Sequence, residues 1–285
     1  MIPTDIVATK SFGDLVITTT ALTTMPARSV GRLLIGDHLV PLAKALSVSI
    51  PTVVIAHGEG GVPAIYDVRR CGTLAALRSA WHLRRLIHAA QPQALLFDQV
   101  GMRERWLAGR VSTNALPAAE NIYIAYSRAF GGAIASPLPL IRANDVVGIF
   151  PGSRLVSKNL PELVVRAAID AITGAGLTPR LMLLEGERPD LERSGLQHEI
   201  VPRSFAAMID AVATCGLVVS ADSMPAHIAE NQSIPIFVLS PVDNRYWLPF
   251  SAFVANRWAL FADNIPARLD HFLRASKRGL HESVP

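Results

Sequence analysis

Short apolar runs alternate with helix-periodic stretches along most of the chain. In the first half, Ile6 to Thr9, Leu33 to Ile35, Thr52 to Ala56 and Ala94 to Phe97 read as buried strands. Between them, Leu15 to Met25, Val40 to Leu46 and Leu74 to Ala90 keep helical spacing. After residue 144 the alternation resumes, with strands at Val146 to Phe150, Leu181 to Leu184, Leu217 to Val219 and Ile234 to Leu239. Helices are expected at Pro161 to Thr173, Phe205 to Ala213, Pro225 to Asn231 and, closing the chain, Ile265 to Ala275. Pro161 and Pro225 stand where a helix takes its first residue, at which the missing N–H is no loss. Repeated strand-helix units predict an α/β fold with parallel, doubly wound sheets. Between Gly131 and Asn144 the period lapses among small residues, Pro137 and Pro139. This is the expected linker, dividing the chain into domains 1–140 and 141–285.

Half of the 285 residues are hydrophobic, ample for well-buried cores, which excludes general disorder. Lys plus Arg number 27 against 23 Asp plus Glu, a net charge of +4. Such an excess suits an acidic ligand or an anionic membrane surface, and equally a soluble protein with neither. The two cysteines, Cys71 and Cys215, are too few for a disulfide framework; their apolar surroundings predict buried thiols and a reducing cytoplasm. The N-terminus has no basic region ahead of an apolar run, and no stretch approaches the roughly 18 apolar residues of a spanning helix. A cytoplasmic protein is therefore expected, with attachment to a membrane face left open.

Several polar positions interrupt the apolar runs where ligands collect. The strand from Leu217 breaks at Ser220, Asp222 and Ser223 and feeds the helix at Pro225. In parallel sheets such turns lie at the carboxyl ends of strands, and helix N-termini there suit phosphate. By itself, Ser11-Phe12-Gly13-Asp14 describes an ordinary strand-turn-helix, with Gly13 permitting a tight turn and Asp14 complementing the helix dipole. His57 to Pro63 is glycine-rich, but Pro63 takes the third glycine's place of a dinucleotide fingerprint, so it is read as a flexible loop. The run His82 to His88 is read as a solvated helix face, or as a basic patch for an anionic acceptor or lipid head groups. No nucleic-acid partner is expected. No His, Cys, Asp or Glu cluster has zinc spacing and no Asp-x-Asp pair is present, so no metal site is expected.

The pattern Asp222-Ser223-x-x-x-His227-Ile228-Ala229, then Ile234-Pro235-x-x-x-Leu239 and Pro241-x-Asp243-x-x-x-Trp247-x-Pro249-Phe250, resembles the donor-binding segment of the family 9 glycosyltransferases, the bacterial heptosyltransferases of lipopolysaccharide synthesis. The Ser11-x-Gly13-Asp14 turn, and the Pro151-Gly152 loop with Lys158 and Pro161, are similar to other motifs of that family. The resemblance implies the GT-B arrangement, two Rossmann-like domains facing each other across a cleft. It further implies inverting, metal-independent transfer, without a cofactor, from an NDP-sugar donor such as ADP-heptose. The implied acceptor is a glycan or glycolipid, the lipopolysaccharide core or another surface glycan, met at the cytoplasmic face of the inner membrane.

By the same resemblance Asp14 is the base that activates the acceptor and Lys158 neutralises the donor diphosphate. Gly152, Ser153, Arg154, Glu185, Gly186, Asp222, Ser223, Met224, His227 and Asp243 are implied on the donor side, Glu185 at the ribose. Lys10, Ser11, Gly13 and Asp98 are implied on the acceptor side, Lys10 pairing either with a substrate phosphate or with Asp14; Arg103 and Arg105 follow Asp98 as further acceptor contacts. Two departures stand out. Asn159-Leu160 replaces a basic residue and Trp, and Met224-Pro225 replaces Gly and an apolar residue, leaving phosphate to the N–H groups of Met224, Ala226 and His227. A catalytically silent nucleotide-sugar-binding protein and a nucleotide-sugar epimerase of the same fold stay open as alternatives.

Overall fold

A computed structural model describes residues 4–23, 30–132 and 144–282, with side chains to residue 276. The chain divides into two compact units, Met1–Ala135 and Ser136–Pro285. The expected boundary at residue 140 lies outside the described residues, as does most of the expected linker.

The first unit runs β1 (Thr4–Ala8), α1 (Phe12–Leu22), β2 (Val30–Gly36), α2 (Val40–Ala45), β3 (Thr52–Ile55), α3 (Val68–Cys71), α4 (Thr73–Ala89), β4 (Ala94–Phe97), α5 (Met102–Ala108), β5 (Ser112–Ala115) and α6 (Ile122–Phe130). Its sheet is parallel, in the order β3-β2-β1-β4-β5. Leu83 and Ile87, one helical turn apart on α4, are driven into the core against Leu34, Leu95 and Phe97. Each such burial contributes about 1.5–3 kcal/mol.

The second unit runs β6 (Val146–Phe150), α7 (Glu162–Gly174), β7 (Thr178–Leu184), α8 (Pro189–Glu192), β8 (His198–Val201), α9 (Phe205–Ala213), β9 (Leu217–Ala221), α10 (Met224–Asn231), β10 (Ile236–Ser240), α11 (Phe250–Val254), β11 (Trp258–Leu260) and α12 (Ile265–Glu282). The parallel order is β11-β10-β9-β6-β7-β8, the doubly wound order of a dinucleotide fold. Every residue of β9 and β10 is buried, as expected of strands covered on both faces. Leu269, Phe272 and Leu273 of α12 enter this core, with the Phe272 ring 5.6 Å from that of Phe237.

Three strands, β5, β8 and β11, have no expectation in the sequence. All three lie at sheet edges, where one side has no neighbour and apolar residues are few, as in Ser112-Thr113-Asn114-Ala115. Cys215 is buried as expected, whereas Cys71 is exposed, because α3 presents no buried face. The loop from His57 is anchored rather than loose: the Glu59 carboxylate accepts from the Ala64 N–H (2.7 Å) and the Ser79 hydroxyl (2.6 Å).

Candidate functional site

Each sheet reverses its winding once, and at each reversal a lysine meets an aspartate. In the first unit the reversal lies between β1 and β4. Lys10 follows β1, Asp98 follows β4, and Lys10 Nζ lies 2.7 and 2.9 Å from the two carboxylate oxygens. In the second unit it lies between β6 and β9. Lys158 is in the loop after β6, Asp222 follows β9, and Nζ is 2.8 Å from Oδ2. Loops diverge at such a switch point and leave a crevice outside the carboxyl ends of the strands.

Around the first pair, the Ser11 hydroxyl caps α1 by accepting from the Asp14 N–H at 3.2 Å. The helix begins at Phe12, so Gly13 is helical rather than the tight turn expected, and a Cβ there would meet only Ser11 Oγ at 4.0 Å. Burial raises the Asp14 pKa above the ordinary carboxylate value; the Ser11 bond opposes this, Asp98 adds to it and Lys10 opposes it. A carboxylate raised in this way is a stronger base. Lys10 forms its ion pair with Asp98, acting on Asp14 only through its charge, and also lies 5.7 Å over the Tyr66 ring. Arg103 stacks on the other part of this cluster, 4.6 Å from the Tyr66 ring centre, and is paired with the buried Glu104; Arg105 is exposed.

In the second unit the Asp222 carboxylate is almost fully buried and holds both Lys158 Nζ and, at 2.6 Å, the side-chain amide of Asn244. His227, one turn into α10, is buried beside them. Desolvation drives its pKa down to about 4, against the attraction of Asp222 and with the repulsion of Lys158, so the ring is neutral at pH 7. Its Nδ1 is buried without a hydrogen-bond partner. Ser223 ties the two switch-point loops together, its hydroxyl donating to the Gly152 carbonyl at 3.0 Å. The Ala226 N–H is engaged by the Ser223 carbonyl (3.1 Å), which removes it from the expected phosphate donors; Met224 opens α10.

The Asn159-Leu160 departure has a structural account. The Asn159 side chain accepts from the Ser153 N–H at 2.7 Å, while Leu160 donates its N–H to the Pro151 carbonyl (2.9 Å) and buries its side chain completely. Both residues thus fix the loop that carries Lys158. Arg154 is exposed.

Two expectations change. Glu185 is exposed, with Gly186 forming the turn beside it, and the carboxylate that closes on the Pro151-Gly152 loop belongs to Glu187. A Cβ on Gly152 would lie 2.0 Å from Glu187 Oε2, so glycine is what lets the carboxylate approach. Burial raises the Glu187 pKa, against the pull of Arg203 and Arg188. Asp243 points outward into an exposed pair with Arg245 (2.6 Å), and its neighbour Asn244 joins the Lys158 cluster instead. Arg188, buried and donating to the Pro151 carbonyl at 3.1 Å, is a further support that no local signal marks.

A third group lies at the ends of β2 and β3. Asp37, His38 and His57 have no metal-ligand spacing in sequence, yet the fold brings a ligand atom from each within 4.8 Å of the others.

No protein-family profile and no curated protein sequence matches the chain. Solved structures do. The glycosyl transferase family 9 structure from Veillonella parvula aligns with 99% of this chain and 98% of its own at 13% identity and a TM-score of 0.65. E. coli heptosyltransferase WaaC with ADP aligns with 99% and 100% at 15% identity and a TM-score of 0.60. E. coli ADP-heptose lps heptosyltransferase II aligns with 98% and 99% at 12% identity and a TM-score of 0.60. The chain therefore has the α/β fold of these GT-B proteins, with two parallel sheets.

Proposed function

We propose that this chain is an inverting glycosyltransferase that takes a sugar from a nucleoside diphosphate sugar such as ADP-heptose and passes it to a lipopolysaccharide core or another surface glycan. The observation that carries the reading is the Lys158–Asp222–Asn244 cluster at the switch point of the second sheet, with neutral His227 behind it. Asp222, itself held by Asn244, keeps the lysine in place, while 27% of the Lys158 side chain stays open to solvent. As the bond from the anomeric carbon to the diphosphate oxygen breaks, the electron pair stays on that oxygen, and Lys158 together with the N-terminus of α10 stabilises the added charge. These groups supply the charge neutralisation for which other transferases use a cation at the diphosphate.

Asp14, a carboxylate of raised basicity on the first unit, takes the proton from the acceptor hydroxyl as its oxygen bonds to the anomeric carbon. The donor groups belong to the second unit, so nucleotide binding is expected to survive changes at Asp14 that stop transfer.

Support for an acceptor held at a membrane comes from one face of the first unit. Leu74, Leu77 and Trp81 stand exposed on α4, with Met102 and Trp106 exposed on α5. Arg85 stacks on Trp81 (5.0 Å) and Arg84 on Trp106 (4.9 Å), and no Asp or Glu occurs from Val68 to Phe97. An apolar, arginine-rich face of this kind suits the interface of an anionic bilayer. No described helix is long and apolar enough to cross a membrane.

The direct test is a thermal-shift screen of ADP, UDP, GDP, CDP and dTDP on wild type and Lys158→Ala, followed by transfer assays with the sugar nucleotide of the base selected. Selective binding of one nucleotide, lost in the variant, is the expected result. Binding of none, or binding indifferent to Lys158, would sink the donor-site assignment.

A further inference from the structure

At the carboxyl ends of β2 and β3 three donor atoms converge with too few protons between them. His57 Nε2 lies 2.8 Å from Asp37 Oδ1 and 3.0 Å from His38 Nδ1. On the far side of the ring, the Glu59 N–H donates to His57 Nδ1 at 3.2 Å. With Nδ1 accepting, neutral His57 carries its one proton on Nε2, and that proton can be directed at the carboxylate or at the second ring, not at both. His38 Nε2 is also buried and makes no hydrogen bond of good geometry, although the nearby Lys10 backbone favours the protonated ring. A cation resolves the shortage by taking a lone pair from all three atoms at once.

We propose that Asp37, His38 and His57 bind one divalent transition-metal ion of the Zn2+ type. Two imidazoles and a carboxylate are a donor set suited to zinc, cobalt, nickel or ferrous iron, and poorly suited to magnesium or calcium. In a tetrahedral site with bonds near 2.0 Å the ligand atoms stand about 3.3 Å apart, so the two short contacts need open only by a few tenths of an ångström. The carboxylate is braced for this role, Oδ2 accepting from the Gly58 N–H at 2.8 Å and Oδ1 from the His38 N–H at 3.0 Å. His57 is closed to solvent, while 29% of the Asp37 side chain is open, so the ion enters from the Asp37 side and keeps a free coordination position there. Water or an anionic ligand oxygen fills that position. Gly36 maintains the space: a Cβ there would lie 2.7 Å from His38 Nδ1 and 3.0 Å from His57 Nε2. Loading moves the His57 proton to Nδ1 and releases the Glu59 N–H.

The inference is independent of sugar transfer, and its test reads the metal itself. The full chain, stripped with a chelator, is titrated with Zn2+ by calorimetry and with Co2+ by visible absorption. One equivalent should bind, Co2+ giving the d–d bands of a low-coordinate nitrogen and oxygen site. Asp37→Asn, at a part-exposed position, should weaken binding at least about tenfold. Gly36→Ala keeps all three ligands and a backbone angle that alanine accepts (φ −65°), yet wedges the rings apart and should abolish the Co2+ bands with unchanged circular dichroism. Failure of the wild type to bind one equivalent would overturn the site, as would full affinity in Asp37→Asn, which would place the ion on surface histidines such as His82 or His271.

Discussion

Replacing Lys158 with methionine isolates the electrostatic core of the proposed donor site, because methionine keeps most of the side-chain volume and removes only the charge. The change leaves the buried Asp222 carboxylate, 4% exposed, with Asn244 as its remaining partner in the cluster. Breaking a fully buried ion pair costs about 3–5 kcal/mol. Here the lysine is about a quarter open to water and the Asn244 bond survives, so roughly half, about 2 kcal/mol, is expected. For a cooperative unit of this size that lowers Tm by about 4–8 °C. Adding Asp222→Asn removes the stranded charge, so the double variant should recover most of the loss, a coupling of about 2 kcal/mol in a urea-denaturation cycle. Nucleotide binding should not recover with it, since neither variant carries the cation. An unchanged unfolding midpoint in Lys158→Met, or nucleoside diphosphate affinity restored in the double variant, would refute the argument.

Asp14→Asn should reduce transfer at least about 100-fold while sparing nucleotide binding, as judged by product formation and calorimetry. Because burial raises the Asp14 pKa, ionising it costs the folded state; the cost is absent below the ordinary carboxylate range and fully present above the raised value, so the variant should melt no lower than wild type at pH 7. By the same reasoning the acid limb of the transfer rate should lie above the ordinary aspartate value; a limb at or below that value would remove Asp14 as the base. Gly152→Ala drives a methyl into Glu187 and should cost about 1–3 kcal/mol, largely rescued by Glu187→Ala; no rescue would mean the carboxylate is not what confines that loop. In sedimentation with anionic phosphatidylglycerol vesicles, wild type should bind at low salt and Leu77→Ser/Trp81→Ser should not. Binding unaffected by that pair, or self-association of the wild type without lipid, would remove the membrane reading of α4.

Much of the fold is written locally. Val146 to Phe150 and Ala94 to Phe97 form strands where the apolar runs end, and the helices after Pro161 and Pro225 begin within a residue of those prolines, because burial on both faces and the loss of one N–H leave marks in consecutive residues. The loops carrying Lys10, Lys158 and Asp222, and the helix starts carrying Asp14 and His227, are legible for the same reason: they punctuate those runs at strand ends. Partnership is a different matter. Lys10 meets Asp98 across 88 positions and Lys158 meets Asp222 across 64, contacts set by the order in which parallel strands assemble. Which of Glu185 and Glu187 turns inward, and which of Asp243 and Asn244, depends on the path of one turn against a neighbouring loop. Asp37, His38 and His57 become a cluster only because β2 and β3 lie side by side. Periodicity records whether a residue is covered. Only the packed sheet decides what covers it, since the free energy of bringing distant groups together comes from the whole core rather than from the residues that meet.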